Sequence, residues 1–425
     1  MQFFDWLNKE LNKDSMEMDL INPYTVIILI TVLMTYYIHL ERAQNATLRK
    51  RKQSNDLSSY KHSSMFGGNK ANYSVMSTTK AQLPHFITQQ RAPERNVGIG
   101  SHGDWKKLKA KKKKNVPEPA LEIGSDGMLK TPVTTKESGL SENKYVKVGF
   151  SSMQGWRPEM EDSHNVILDG DKKIPGTMFF AVYDGHGGQE ISRLLGKEMF
   201  KEIKGTEEYA AGAYEQAIIS AALEMDSKMK ETFKENPSTP GSTANMALIV
   251  GKDLFVGNIG DSRCIACING QAKPLSVDHK PGNPEERKRI NKAGAEVDVD
   301  DGHLYTENSS LAVSRSMGDF EYKKNQKLGA IDQVVSPLAD VIQRTIDDSW
   351  QFILLGCDGI WDELSNDEAI SFVLTGIAKG KDPKQICMEL CDRCIGSMDN
   401  TTCILVCFLH NKPYKNLVAT CRSYL

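Results

Sequence analysis

No cysteine occurs in the first 263 residues of this 425-residue chain, and the nine that follow form an odd set without a paired framework. That excludes a small disulfide-stapled secreted scaffold and fits a reducing compartment. Two C-x-x-C pairs, Cys264/Cys267 and Cys391/Cys394, stand more than 120 residues apart, unlike the ligand pairs of a compact zinc module. "SRCIACI" reads as a strand, so Cys264 and Cys267 are expected on opposite faces. Cys387, Cys391 and Cys394 follow helical spacing beside Ile386 and Leu390 and read as buried thiols.

Charge is also missing from one place. Pro23 to Leu40, "PYTVIILITVLMTYYIHL", contains no Asp, Glu, Lys or Arg over 18 residues. As a helix this stretch spans about 27 Å, enough for a thin bilayer, and the expectation is a transmembrane helix over 23–40. The long acidic segment before it argues against a cleaved signal peptide. Arg42, Arg49, Lys50, Arg51 and Lys52 follow the span closely, which predicts a cytosolic C-terminal side. Localisation is expected in the endoplasmic reticulum or another endomembrane rather than the plasma membrane. N-x-S/T tripeptides at Asn45, Asn72, Asn308 and Asn400 are read as chance occurrences.

The net charge of −2 conceals a division: residues 1–40 carry −3, 41–144 carry +11 and 145–425 carry −10. The acidic part lacks the basic stripe that nucleic acid requires, so neither a nucleic-acid partner nor a nuclease is expected. Residues 41–144 are polar, have no sustained hydrophobic period and include "KKLKAKKKKN", and are expected to be a disordered basic linker. Lys106–Lys114 fit contact with anionic lipid, an acidic partner or plain solvation. The chain thus divides into a short N-terminal segment (1–22), a span (23–40), a linker (41–144), a folded domain (145–412) and a tail (413–425).

A steady strand–helix alternation is absent from the folded domain, which argues against a doubly wound parallel sheet. "TANMALIVGKDLFVGNIG" reads as a hairpin, "YEQAIISAALEMDSKMKETF" as an amphipathic helix, and Ser365 with Glu368 as a capping box. Packed antiparallel sheets interrupted by helices are expected. Two apolar strands, "FFAVYDGHGG" and "WQFILLGCDGIWD", end on Asp-Gly, while Asp399 precedes the apolar run "TTCILVCFL". "GWRPEMEDSH" sets Arg157 just ahead of Glu161 and Asp162. One Asp-Gly alone reads as a turn; five acids in four such settings suggest a site for hard cations, which prefer oxygen ligands.

The ordered set "GWRPEMEDSH", "FFAVYDGHGG", "GSTANMALI", "VGNIGDSR", "LSVDHKP", "LAVSRSMGD", "LLGCDGIWD" and "DNTTCILV", over roughly 146–410, resembles the metal-dependent protein serine/threonine phosphatases of the type 2C class. The resemblance implies an α+β fold, a four-layer α/β/β/α sandwich with two central antiparallel sheets and a two-metal site for Mg²⁺ or Mn²⁺ at one end. By position, Asp184 would bridge the metals, the Gly185 carbonyl would bind one, and Asp358 and Asp399 the other. Glu161 and Asp162 would orient metal-associated waters, and Asp261 would serve a weaker third ion. Arg157 would bind phosphate, His186 would act as general acid, and His164 is read as an ordinary core or turn histidine. Phosphoproteins are the implied substrates; a noncatalytic scaffold on the same fold is the competing reading. One departure stands out: Thr306–Ser309 replace the family's Arg-Val-Asn-Gly-like run, just after the expected flap at 279–303.

Overall fold

The computed structural model describes residues 121–234, 240–298, 302–305 and 310–425. The expected span at 23–40, the Lys106–Lys114 run and Thr306–Ser309 lie outside the described residues. Among the described residues, no helix is long and apolar enough to cross a membrane.

Eleven strands build two antiparallel sheets. In chain order they are β1 (Val133–Glu142), β2 (Val146–Gly155), β3 (Ser163–Ile167), β4 (Thr177–Tyr183), β5 (Ala244–Val250), β6 (Asp253–Ile259), β7 (Arg263–Ile268), β8 (Gln271–Pro274), β9 (Asp340–Thr345), β10 (Trp350–Gly356) and β11 (Thr401–Phe408). The first sheet runs β1-β2-β11-β10-β7-β8, and the second β9-β6-β5-β4-β3. The β5–β6 hairpin turns through Gly251 and Lys252, with Val250 opposite Asp253. Six main helices accompany them: α1 (Glu190–Gly205), α2 (Tyr214–Phe233), α3 (Pro284–Ala293), α4 (Asn366–Ala378), α5 (Pro383–Arg393) and α6 (Tyr414–Arg422).

Strand alternation sorts the core into layers. On β4, Met178, Phe180 and Val182 face the other sheet and meet Val148, Ile353, Leu355, Ile404 and Val406. Its intervening residues, Phe179, Ala181 and Tyr183, turn to α1 and α2, against Ile191, Leu195, Met199 and Met225. The first sheet does the same: Phe352, Leu354 and Leu405 turn outward onto Ile370, Val373, Ile377 and Leu390 of α4 and α5. The result is the expected α/β/β/α sandwich, each fully buried large apolar side chain contributing about 1.5–3 kcal/mol. Cys264 lies between the sheets while Cys267 faces the helices, as strand alternation requires. All nine cysteines are buried and free. Ser365 caps α4 in a full capping box with Glu368.

Two boundaries differ from the sequence reading. The stretch assigned to the linker contains β1, which pairs with β2 along the edge of the first sheet, and before it the Leu129 N–H donates to the Trp156 carbonyl at 2.8 Å. This strand is polar because an edge needs little apolar surface; Lys136 anchors it to Asp392 at 2.6 Å. Residues 413–425, read as a tail, contain α6, whose Leu417, Val418 and Cys421 complete the core over the first sheet. The expected flap at 279–303 includes α3, whose Ile290 shares a small separate cluster with Val297, Leu311 and Val335.

Candidate active site

The chemistry-bearing acids collect at one end of the two sheets. Asp184 follows β4, Asp162 immediately precedes β3, and β3 pairs antiparallel with β4. Asp358 follows β10 by one residue and opens the short helix Asp358–Trp361, while Asp399 sits just before β11. Because β10 and β11 are antiparallel neighbours, the two arrive side by side. Thr243 fixes the Asp184 backbone from both sides: its hydroxyl accepts the Asp184 N–H at 3.1 Å and its own N–H donates to the Asp184 carbonyl at 2.8 Å. The same hydroxyl lies 2.7 Å from that of Ser262, the neighbour of Asp261. Gly185 occupies a place no side chain fits, since a Cβ there would meet the Glu161 carbonyl oxygen at 2.4 Å.

Ligand atoms of Asp162, Asp184 and Cys357 fall within 4.8 Å of one another. Asp162 is 8% exposed, and neither of its carboxylate oxygens has a hydrogen-bond partner among the described residues. Burial above all pushes its carboxyl up to about 7; the nearby Thr402 side chain and Cys357 thiol oppose it, and the charges of Asp399 and Asp358 add to it. Burial followed by the charges of Asp162, Asp261 and Asp399 drives Asp184 well above the usual carboxylate range. Burial and then Asp184, Asp261 and Asp399 do the same to Asp358. Such crowding is unfavourable without a countercharge, and a crowd of carboxylates in which both Asp162 oxygens lack a partner among the described residues fits a hard divalent cation.

Cys357 does not offer a nucleophile. Burial, then Asp162 and Asp184, hold its thiol well above its ordinary value, and its sulfur accepts the Thr402 N–H at 3.1 Å. Around the acids stand the remaining polar groups. One guanidinium nitrogen of Arg157 donates to Asp399 at 2.7 Å, with the Arg157 side chain 42% exposed. The Glu161 carboxylate accepts the Gly188 N–H at 2.5 Å. Asp261 is buried and paired with the Lys280 ammonium. His186 Nε2 lies 2.7 Å from Asp319 Oδ2; burial works against the imidazolium, but the charge and hydrogen bond of Asp319 outweigh it and raise the His186 pKa. His164 is half-buried on β3, its ring 4.4 Å from that of Phe150 between centroids.

Sequence reasoning missed four participants: Asp319, Lys280, Asp362 and Asn400. Asp319 ends the quoted motif "LAVSRSMGD" but received no role; its φ of 49° is unusual for a non-glycine residue and comes from the turn that aims it at His186. Lys280 lies in "LSVDHKP", also without a role. Asp362 ends "CDGIWD" and adds its charge to the field at Asp358. Asn400 is buried, accepts the Glu161 N–H at 2.9 Å and donates to the Gln154 and Glu159 carbonyls, which ties the Arg157–Asp162 loop to β11 and leaves no accessible glycosylation site.

Residues 146–401 match the protein phosphatase 2C family model. A probable protein phosphatase 2C of Caenorhabditis elegans is 38% identical over 301 residues, covering 69% of this chain and 83% of that protein. Protein phosphatase 2C homolog 2 of Schizosaccharomyces pombe is 39% identical over 298 residues, 67% of this chain and 79% of its own length. Human protein phosphatase 1A is 37% identical over 293 residues, 66% and 75% of the two chains. In fold, the chain resembles a crystal structure of a serine-threonine phosphatase 2C from Toxoplasma gondii, with a TM-score of 0.57 at 18% identity, covering 64% of this chain and 100% of that one. With this ancestry and a carboxylate cluster fitted to hard cations, the chain belongs to the protein phosphatase 2C family and is a metal-dependent protein serine/threonine phosphatase.

Proposed function

We propose that this phosphatase works with two divalent cations, Mg²⁺ or Mn²⁺, held by Asp184, the Gly185 carbonyl, Asp358 and Asp399, with Glu161 and Asp162 ordering the surrounding water. The observation that carries the reading is the convergence of acids on buried Asp162, whose oxygens have no hydrogen-bond partner among the described residues. When bound, the cations supply a water activated near neutral pH and positive charge to offset the phosphoryl oxygens. Arg157, pinned to Asp399 by one nitrogen of its fork, binds phosphoryl oxygens of the substrate. His186 gives a proton to the departing serine or threonine oxygen. Asp319 occupies its Nε2, so Nδ1 is the donor, and the raised pKa favours the protonated ring this task needs. Asp261 would serve a weaker third cation by giving up its pairing with the Lys280 ammonium.

The same reading extends to the rest of the chain. Residues 23–40 anchor the enzyme in an endomembrane, with the phosphatase domain in the cytosol and Lys106–Lys114 against anionic lipid. Support comes from the uncharged 18-residue run and the basic flank that follows it. Protease treatment of sealed microsomes decides the topology: a protected phosphatase domain would overturn it. Hydrolysis of a phosphoserine or phosphothreonine peptide by the full chain, with and without Mn²⁺ and chelator, tests the chemistry; turnover that persists in chelator would exclude a metal-dependent reaction.

A further inference from the structure

Behind the His186–Asp319 pair lies a buried ion pair. Asp226 of α2 and Lys323 are both buried, with Lys323 Nζ 2.8 Å from Asp226 Oδ1. The same Asp226 oxygen accepts the Gly318 N–H at 2.9 Å, and Lys323 Nζ also donates to the Ser316 carbonyl at 2.9 Å. The two charges therefore grip both sides of the turn 316–323. The Ser316 hydroxyl donates to Asp319 Oδ2 at 2.5 Å, the oxygen that meets His186.

A buried ion pair is a poor source of stability. Desolvation of two charges consumes most of the attraction, and well-packed apolar replacements are often neutral or better. Burial shows here on both partners, lowering the Lys323 pKa and raising that of Asp226. What the pair does supply is geometry: the Asp226 carboxylate and the Lys323 ammonium fix backbone groups at Gly318 and Ser316, on the N-terminal side of a residue in left-handed conformation. Asp319 thus directly follows Gly318, whose N–H Asp226 holds, in its left-handed conformation.

We propose that Asp226 and Lys323 are positioning residues for the proton donor: they lock the 316–323 turn so that Asp319 holds His186 for leaving-group protonation. The inference rests on the assignment of His186 as general acid.

The test compares the full chain with Asp226→Leu/Lys323→Met, which removes both charges together and so leaves no unpaired ion in the core. Asp319→Asn and His186→Gln are the references. The double variant should bind Mn²⁺ as the wild type does and hydrolyse para-nitrophenyl phosphate at a similar rate. Its phosphopeptide turnover should fall about 10- to 100-fold, a share of the 10²–10⁴ a general acid contributes. Adding His186→Gln to it should cost less on the peptide than His186→Gln costs the wild type. Equal losses on both substrates, or wild-type turnover of both, would overturn the proposal. Should His186→Gln itself show no preference between substrates, the general-acid assignment fails on its own. The positioning claim is then decided by the imidazole Nε2–H proton resonance of His186, which should be lost in Asp319→Asn and in the double variant; its persistence in the double variant would defeat the claim.

Discussion

His186 Nε2 and Asp319 Oδ2 lie 2.7 Å apart although 133 residues separate them in the chain. Three two-residue strands make that meeting: Gly185–His186 pairs with Gly241–Ser242, which pairs with Met317–Gly318. The pair thus hangs from a miniature sheet beside the main acid cluster, with Asp184 immediately before the first strand.

A serine alkoxide leaves poorly without a proton, whereas nitrophenolate leaves readily. His186→Gln should therefore lower phosphopeptide turnover about 10²–10⁴-fold and para-nitrophenyl phosphate turnover far less, provided chemistry limits both. Parallel steady-state assays check this. Equal losses accompanied by weaker Mn²⁺ binding would mean that His186 only supports Asp184.

Gly241 sits directly beneath the His186–Asp319 pair. A Cβ there would come within 2.1 Å of Asp319 Oδ2 and 2.3 Å of His186 Nε2. Gly241→Ala should force the two apart and reproduce the substrate preference of His186→Gln with Mn²⁺ affinity kept. Calorimetric Mn²⁺ titration alongside the two assays measures both halves of that expectation.

These two examples mark where the sequence was legible and where it was not. Asp184, Asp358 and Asp399 announced themselves because an apolar strand beginning or ending on an acid is a local signal, readable within ten residues. His186 with Asp319, and Asp261 with Lys280, are pairings across the fold, and no local pattern encodes them. The order of the sandwich layers came only from the family resemblance that the ordered motifs carry; the apolar run Phe179–Tyr183 does not show in sequence which residues face which layer, and the structure sorts them. Strand β1 escaped because an edge strand of Thr, Lys, Glu and Ser has no apolar alternation, and α6 because a nine-residue helix closing a core over Cys421 looks like a polar tail.

The flap helix α3 depends on Glu286. Its buried carboxylate meets Arg315 at 2.6 Å, Arg289 at 2.7 Å and the Ser314 hydroxyl at 2.7 Å. Burial alone would raise this group, but Arg315, Ser314 and Arg289 outweigh burial and hold it at about 2. A depressed folded-state pKa contributes stability that is complete above the unfolded value, about 4.3, and fades as pH falls toward the folded one. Glu286→Gln should accordingly lower the unfolding free energy measured in urea by about 3 kcal/mol at pH 7 for a broken buried pair, and by about half as much at pH 3. A gap between variant and wild type that stays constant from pH 7 to pH 3 would contradict this account.

Asp358→Asn and Asp399→Asn each remove one negative charge from the cluster, so both should weaken Mn²⁺ binding and reduce phosphopeptide turnover, with excess Mn²⁺ restoring part of the rate. Asp399→Asn should also loosen Arg157, whose guanidinium it holds at 2.7 Å, and raise KM for the phosphopeptide more than Asp358→Asn does. Substrate titrations at saturating Mn²⁺ separate the two variants.

The most direct measurement is calorimetric titration of the full chain with Mn²⁺ at pH 7, wild type against Asp184→Asn. The account predicts two cations bound by the wild type and a loss of at least one in the variant, because Asp184 lies beside Asp162 and within the field of Asp358. A wild-type chain that binds no Mn²⁺, or an Asp184→Asn chain that binds it with unchanged number and affinity, would contradict the assignment of this cluster as the metal centre.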